Sequence, residues 1–374
     1  MLPYGRQSID QSDVEAVTAA LRSDYLTTGP RVEQFEAELS AVVGAPVVTV
    51  SNGTAALHTA YAAAGVGPGD QVVTTPMTFV ATASCAAMFG AEILFADIED
   101  DTANLDPDAV ESLVTARTKA IAATDYAGHP ADYDALRKVA EGVGAVVVGD
   151  AAHAIGSTYQ GRPVGTLADL TTFSFYPTKN MTTAEGGGVA ALRPELLQRA
   201  RTFSKIGVVR DPGRLRDPDG GAWYYEVPEF GLNYRLPDLL CALGSSQLRR
   251  LAAFKARRQA LTARYDELLA DVPGLRLPTQ RDGVDPMRHL YPVRVLDGRR
   301  REVFDRMRAA GIIVQVNYIP VYWHPVFADL GYRRGMCPVA EAFYAEELSL
   351  PLFVDLTDAD QDRVVEELRN ILGS

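Results

Sequence analysis

Apolar residues recur at helical spacing near the start of the chain. Val14, Val17 and Leu21 form one stripe behind a Ser12/Glu15 capping box, and Val32, Phe35, Leu39 and Val42 form another after Pro30. The spacing predicts two short helices joined by a turn-like linker, Tyr25-Leu26-Thr27-Thr28-Gly29. Beyond them the pattern changes. Continuous apolar runs at Val47–Val50, Gln71–Thr75, Ile93–Asp97, Ala120–Thr124 and Val146–Asp150 alternate with helical stretches, for example after Asp106-Pro107 and after Asp132. Strands that lack polar alternation are buried on both faces, so this predicts a mostly parallel sheet covered by helices. Thr171–Phe175 and Gly187–Leu192 add two further strand candidates. A long helical pattern runs from Pro237 through Leu248 to about Leu269 and links this α/β part to the remainder. There Tyr291–Val295, Arg301–Ala310, Ile312–Tyr318 and a capped helix from Thr357 predict a compact α+β unit. The division expected is a large domain over 1–250 and a small C-terminal domain over 251–374. Gly207–Gly231 follows neither period and is rich in Gly, Asp, Pro and Arg, so a mobile surface loop is expected there rather than a lid.

Composition narrows the function classes. A net charge of −12 argues against a non-specific nucleic-acid binder, although a few local donors can still bind a small anion. Cys85, Cys241 and Cys337 lie far apart with no metal-ligand spacing, which suits reduced, buried thiols and predicts no metal site. No uncharged apolar stretch is long enough to span a bilayer, and Met1–Gln7 has no apolar signal core, so no membrane association and a cytoplasmic location are expected.

The candidate chemistry lies where predicted strands end. Asp150 closes one apolar run and opens Asp150-Ala151-Ala152-His153-Ala154. Lys179 follows the next strand in Ser174-Phe175-Tyr176-Pro177-Thr178-Lys179, ahead of Glu185-Gly186-Gly187-Gly188. In open parallel sheets, ligands lie outside the carboxyl ends of the strands. One lysine and one acid in such positions are the minimal equipment for pyridoxal phosphate (PLP). The amine bonds the aldehyde, and the acid keeps the pyridine nitrogen protonated so that the ring can accept electron density. Ser51-Asn52-Gly53-Thr54-Ala55-Ala56-Leu57 follows another strand and opens a helix, whose N–H groups favour an anion; it is neither a Walker loop nor a dinucleotide fingerprint. Ser174 offers a second half of such a phosphate site. Phe79 could stack on a flat ring, and His153 could touch the ring or its phenolic oxygen. Plainer readings stand beside these: Asp150 as a helix cap, His153 and Phe79 as core residues, Lys179 as a surface lysine.

Over roughly its full length the chain resembles the DegT/DnrJ/EryC1/StrS family of sugar aminotransferases, which adopt the fold-type I PLP-dependent transferase architecture. The matching segments, in the family order, are Thr27-Thr28-Gly29-Pro30, Ser51–Leu57, Pro76–Thr82, Asp150–Ala154, Ser174–Lys179 with Glu185-Gly186-Gly187, and Gly231-Leu232-Asn233-Tyr234-Arg235-Leu236. The resemblance implies Lys179 as the Schiff-base lysine and Asp150 as the partner of the pyridine nitrogen. It implies Phe79 stacked on the ring and Thr54, Ala55 and Ser174 on the phosphate. Asn233 would reach the phosphate of the neighbouring subunit, which implies a homodimer with shared sites. Lys179 stands where dehydratase relatives carry histidine, which favours transamination.

Within the family, Pro76–Ser84, Asp125-Tyr126-Ala127-Gly128, Thr182–Gly187, His289-Leu290-Tyr291-Pro292 and Gln315–Tyr318 resemble the enzymes that aminate C4 of UDP-linked 4-keto-6-deoxy sugars, of the pseudaminic-acid type. Asn317 stands where that subgroup tends to have histidine, Ile319 where it tends to have lysine, and Ser204-Lys205-Ile206-Gly207 replaces Arg-Ser-His-Gly. The expectation is a ping-pong transfer of an amino group from L-glutamate to a nucleotide-linked keto sugar, with the cofactor cycling between PLP and pyridoxamine phosphate (PMP). The same chemistry on a 3-keto sugar or keto-cyclitol is an alternative, and so is a catalytically silent PLP-binding regulatory dimer.

Overall fold

The computed structural model describes residues 1–373. At its centre is a seven-stranded sheet in the order Val47–Val50, Gly187–Ala190, Leu170–Ser174, Val146–Asp150, Thr118–Thr124, Gln71–Thr74, Glu92–Phe95. All but Gly187–Ala190 run in one direction; that strand is antiparallel to both neighbours. Register sets the edge that matters, since Thr124 pairs with Asp150 and Asp150 with Thr172. The carboxyl ends of neighbouring strands therefore open on the same side.

The apolar runs are buried on both faces, as continuous hydrophobicity requires. One core packs Ala56, Ala60 and Tyr61 of the helix Gly53–Ala64 against the sheet. The other packs Phe35 and Leu39 of Pro30–Val43, with Tyr133 and Leu136 of Tyr133–Val143, against the opposite face. Burying a side chain such as Phe35 completely contributes on the order of 1.5–3 kcal/mol. The helix Asp238–Leu269 crosses this region, and a Cβ added at Gly244 would lie 2.5 Å from the Phe35 ring, so glycine is what lets the two helices approach.

A third core joins the distal half of that helix, through Leu261, Tyr265 and Leu269, to the C-terminal residues. It includes the three-stranded sheet Leu275–Arg276, Tyr291–Val295 and Glu347–Leu350. The extreme N-terminus belongs to this core: Leu2 is buried in it, and its backbone bonds Gly311 at 2.8 Å and Ile313 at 2.9 Å.

Several local expectations need correction. The first helix, Gln11–Leu21, is capped by Asp10 and Asp13, not by Ser12 and Glu15. Asp13 is drawn inward by Gln247 and Arg250 of the long helix, so the first helix turns Asp13 and Ala20 to the interior and leaves Val14 and Leu21 exposed. Strand limits shift by a residue or two, to Gln71–Thr74, Glu92–Phe95, Leu170–Ser174 and Gly187–Ala190. Residues 312–318 form only isolated bridges, Leu2 to Ile312 and Gln315 to Ser349. The segment 207–231 holds a short helical turn, Pro212–Arg214, and one bridge, Val209 to Glu226, with Trp223 and Phe230 facing solvent. Among the described residues, no helix is long and apolar enough to cross a membrane, and no group of three His, Cys, Asp or Glu side chains could hold a metal ion.

Candidate active site

A cavity of about 720 Å³ opens at the carboxyl ends of the sheet strands, and Thr54, Ala55, Phe79, Asp150, His153, Ser174 and Lys179 all line it. After Val50 the chain turns at Asn52, whose Oδ1 accepts the Ala55 N–H at 2.8 Å and caps the helix Gly53–Ala64. The N–H groups of Gly53 and Thr54, at the first turn, have no intrahelical acceptor and form the positive end of the helix dipole. Gly53 lies directly on Ser174; a Cβ there would be 2.8 Å from Ser174 Cβ. That contact gathers the Thr54 and Ser174 hydroxyls and the free N–H groups into one anion cradle. The Ala55 N–H is already used by the cap.

Lys179 follows Ser174 in a turn held by its own N–H on the Tyr176 carbonyl at 2.9 Å. Burial draws its ammonium down to about 8, with the Asp150 charge pulling in the opposite direction. Asp150 is buried at 4% exposure, and burial raises its carboxyl above the usual range. Three things oppose that rise: the Thr82 hydroxyl, which donates to Oδ2 at 2.6 Å, the Ala152 N–H, which donates to Oδ1 at 3.2 Å, and the Lys179 charge. A lysine held near neutrality beside an acid is what reversible bonding to a carbonyl and proton shuttling require.

His153 is buried, shares a 2.9 Å hydrogen bond between Nε2 and the Tyr318 hydroxyl, and packs on His289 with ring centroids 4.6 Å apart. Burial holds both imidazoles far below their usual range, hence neutral. The buried Nδ1 of His153 has no hydrogen-bond partner among the described residues. Phe79 is 57% exposed with its ring edge to Tyr318, so a planar face is left open beside the cavity.

Asn233 does not line this cavity; it is exposed and bridged to Lys205. Conversely, Tyr4, His289, Gln315, Asn317 and Tyr318 complete the wall from the N-terminus and the C-terminal region. His289, Asn317 and Tyr318 lay in motifs of the sequence, but nothing local marked Tyr4.

These residues fit PLP. A helix N-terminus with two hydroxyls suits its phosphate, Asp150 suits a protonated ring nitrogen, Lys179 suits its aldehyde, and the orphaned His153 Nδ1 is a polar atom awaiting a ligand.

Comparison with known proteins identifies the family. The model of the DegT/DnrJ/EryC1/StrS aminotransferase family matches residues 7–369. The chain is 39% identical to the spore coat polysaccharide biosynthesis protein SpsC of Bacillus subtilis, over 99% of this chain and 97% of that protein. It is 36% identical to the UDP-4-amino-4,6-dideoxy-N-acetyl-beta-L-altrosamine transaminase of Campylobacter jejuni serotype O:23/36, over 100% of this chain and 98% of that one. Among solved structures it superposes on a candidate sugar aminotransferase of Streptococcus pneumoniae, Spr1654, in its PMP form with a TM-score of 0.93 at 31% identity, covering 100% of this chain and 99% of that one. The same protein has also been solved in a PLP form. The chain is thus an aminotransferase with pyridoxal phosphate as its cofactor, and it belongs to the DegT/DnrJ/EryC1/StrS family.

Proposed function

We propose that the enzyme moves an amino group from L-glutamate to a nucleotide-linked 4-keto-6-deoxy sugar in two half-reactions of ping-pong order. The observation that carries the reading is the convergence of Lys179, Asp150 and the Gly53–Ala64 helix N-terminus on one cavity. The likeness to the Campylobacter transaminase supports the choice of sugar. When bound, PLP supplies a carbonyl that takes up the amino group reversibly and a ring that spreads carbanion charge. Thr54, Ser174 and the first-turn N–H groups anchor its phosphate, with Ala55 lining the same cradle. Asp150 holds a proton at the ring nitrogen. His153 would contact the ring or its phenolic oxygen, and Phe79 would stack on the ring. Lys179 would hold the aldehyde and, as a free amine, would move the proton at the substrate carbon, and a positioned base of this kind contributes about 10²–10⁴-fold.

The deciding experiment offers glutamate with a panel of 3-keto and 4-keto nucleotide sugars and keto-cyclitols. Turnover restricted to 4-keto-6-deoxy sugars is expected. Preference for a 3-keto sugar or a cyclitol overturns the regiochemistry, and no turnover of any ketone, with no bleaching of the bound cofactor's absorbance by glutamate, favours a silent regulatory dimer. The neutral Asn317 in the cavity wall, where the C4 subgroup tends to have histidine, is the feature that keeps another ketone in view.

The same reading includes a large domain over 1–250, a small domain over 251–374, and a homodimer in which Asn233 of each subunit reaches the other's phosphate. Its exposed position, outside its own cavity, suits that role. Asn233→Ala is expected to lose about 1–3 kcal/mol of cofactor affinity through a missing buried donor. Linkage then requires PLP to stabilise the dimer against dilution. Sedimentation at low protein concentration, with and without PLP, checks this; a monomer that binds PLP as tightly as the dimer rules out shared sites.

A further inference from the structure

Three buried threonines stand behind Asp150 on three different segments. Thr124 ends its strand, Thr78 lies in the loop after Gln71–Thr74, and Thr82 is in the first turn of the helix Ala81–Met88. Their exposures are 4%, 1% and 0%. The Thr124 hydroxyl donates to Thr78 Oγ1 at 3.0 Å, Thr78 and Thr82 share a 2.7 Å bond, and Thr82 donates to Asp150 Oδ2 at 2.6 Å.

Each hydroxyl has one proton, and an ionised carboxylate can only accept. With Asp150 ionised, the Thr82 proton goes to Oδ2, because the alternative acceptor, the Phe79 carbonyl, lies farther off at 3.2 Å. Thr82 therefore accepts from Thr78, and Thr78 accepts from Thr124. All three protons point one way. Chains of this kind polarise each successive bond toward the terminal acceptor.

We propose that Thr124, Thr78 and Thr82 form a one-way hydroxyl relay that fixes the orientation and charge of Asp150, making Thr82 a positioning residue of the active site. The inference rests on the reading of Asp150 as the partner of the ring nitrogen. Without Thr82 the carboxylate would keep the Ala152 N–H on its other oxygen, Oδ1, and lose the donor on Oδ2. The groups whose charge couples to Asp150 are Lys179 and Asp125, with Tyr61, Cys85, Tyr133 and Tyr318 pushed up by burial and neutral.

The test uses Thr82→Val, close in shape but without the hydroxyl, and Thr82→Ser, which restores it. The first readout is the melting temperature of the apoenzyme from pH 5 to pH 8.5. Burial already raises Asp150 in the folded state, so ionising it costs stability as pH rises through its folded value. Loss of the Thr82 donor raises that value further. The penalty of Thr82→Val should thus be small at the acid end and grow toward neutral pH, while Thr82→Ser follows the parent. In an Asp150→Asn background the pH-dependent part should vanish. The second readout is the loaded enzyme, in which kcat should fall about tenfold or more with KM for either substrate nearly unchanged.

A pH-independent penalty, a penalty that survives in Asp150→Asn, or a serine variant that behaves like valine would overturn the relay. A pH-dependent apoenzyme penalty with unchanged kcat would uphold the relay and overturn the role given to Asp150 instead. Should Thr82→Val fail to fold, Thr124→Val, at the far end of the chain, is expected to shift stability with the same sign and smaller size; the absence of any pH-dependent shift in it refutes the relay.

Discussion

Lys179→Ala is expected to abolish transamination while leaving the protein folded. In the proposed roles of Lys179 the substitution removes both the nucleophile for the cofactor and the base that moves the proton, and the second loss alone corresponds to about 10²–10⁴-fold. Turnover should therefore fall below detection. The fold should persist because the turn is held by the Lys179 backbone N–H on Tyr176, and among the described residues no side-chain hydrogen bond to the amine is formed. Neighbouring Ser174 and Asn180 keep their own contacts, Asn180 through the carbonyls of His153 and Met287. The measurements are steady-state turnover and a thermal melt of the same preparation. Near-normal turnover would remove Lys179 from the chemistry.

The second large effect belongs to Asp150. Asp150→Asn is nearly isosteric and keeps one oxygen, for Ala152 or for Thr82, with its NH2 able to donate to the hydroxyl at the other position, but it cannot hold a positive charge on the ring nitrogen. Removing one preorganised electrostatic partner of a developing charge costs about 10²–10³-fold in kcat. Cofactor binding should change far less, since the phosphate cradle at Thr54 and Ser174 is untouched. The same variant has a pH signature. In the parent, Lys179 is neutral above about 8, so covalent capture of PLP by the apoenzyme should speed up as pH rises to that value and then level off. The Asp150 charge favours the protonated amine, so its removal should move the midpoint to lower pH. Stopped-flow capture across pH 6 to 9.5 measures this. An unmoved midpoint with normal turnover would make Asp150 a structural helix cap.

The placement of Asp150 and Lys179 on one cavity is legible in the sequence because it follows from local pattern. An apolar run that ends in an acid, and another followed by a turn and a lysine, put those side chains at the open end of a parallel sheet. The phosphate cradle was readable for the same reason, as a strand–helix turn of small residues. The Ser12/Glu15 cap does not form, and Asp10 and Asp13 cap the helix instead; Gln247 and Arg250, more than two hundred residues away, bind Asp13 and hold that side of the helix inward. A stripe that includes exposed Val14 and Leu21 then no longer marks the core-facing side.

The alternation of strands and helices, the positions of the turns and the choice of candidate reacting groups follow from local pattern, because hydrophobic period and turn chemistry act over a few residues. Only the tertiary structure decided the neighbours of those groups. Strand register aligned Thr124 with Asp150, and packing of Ala81–Met88 against the sheet brought Thr82 to the carboxylate. Docking of Leu2 into the third core delivered Tyr4 to the cavity wall, while Asn233 was carried outside its own site. Such contacts join segments far apart in the chain, and they form only when burial of several apolar faces at once compensates the loss of chain entropy, a condition no local pattern records.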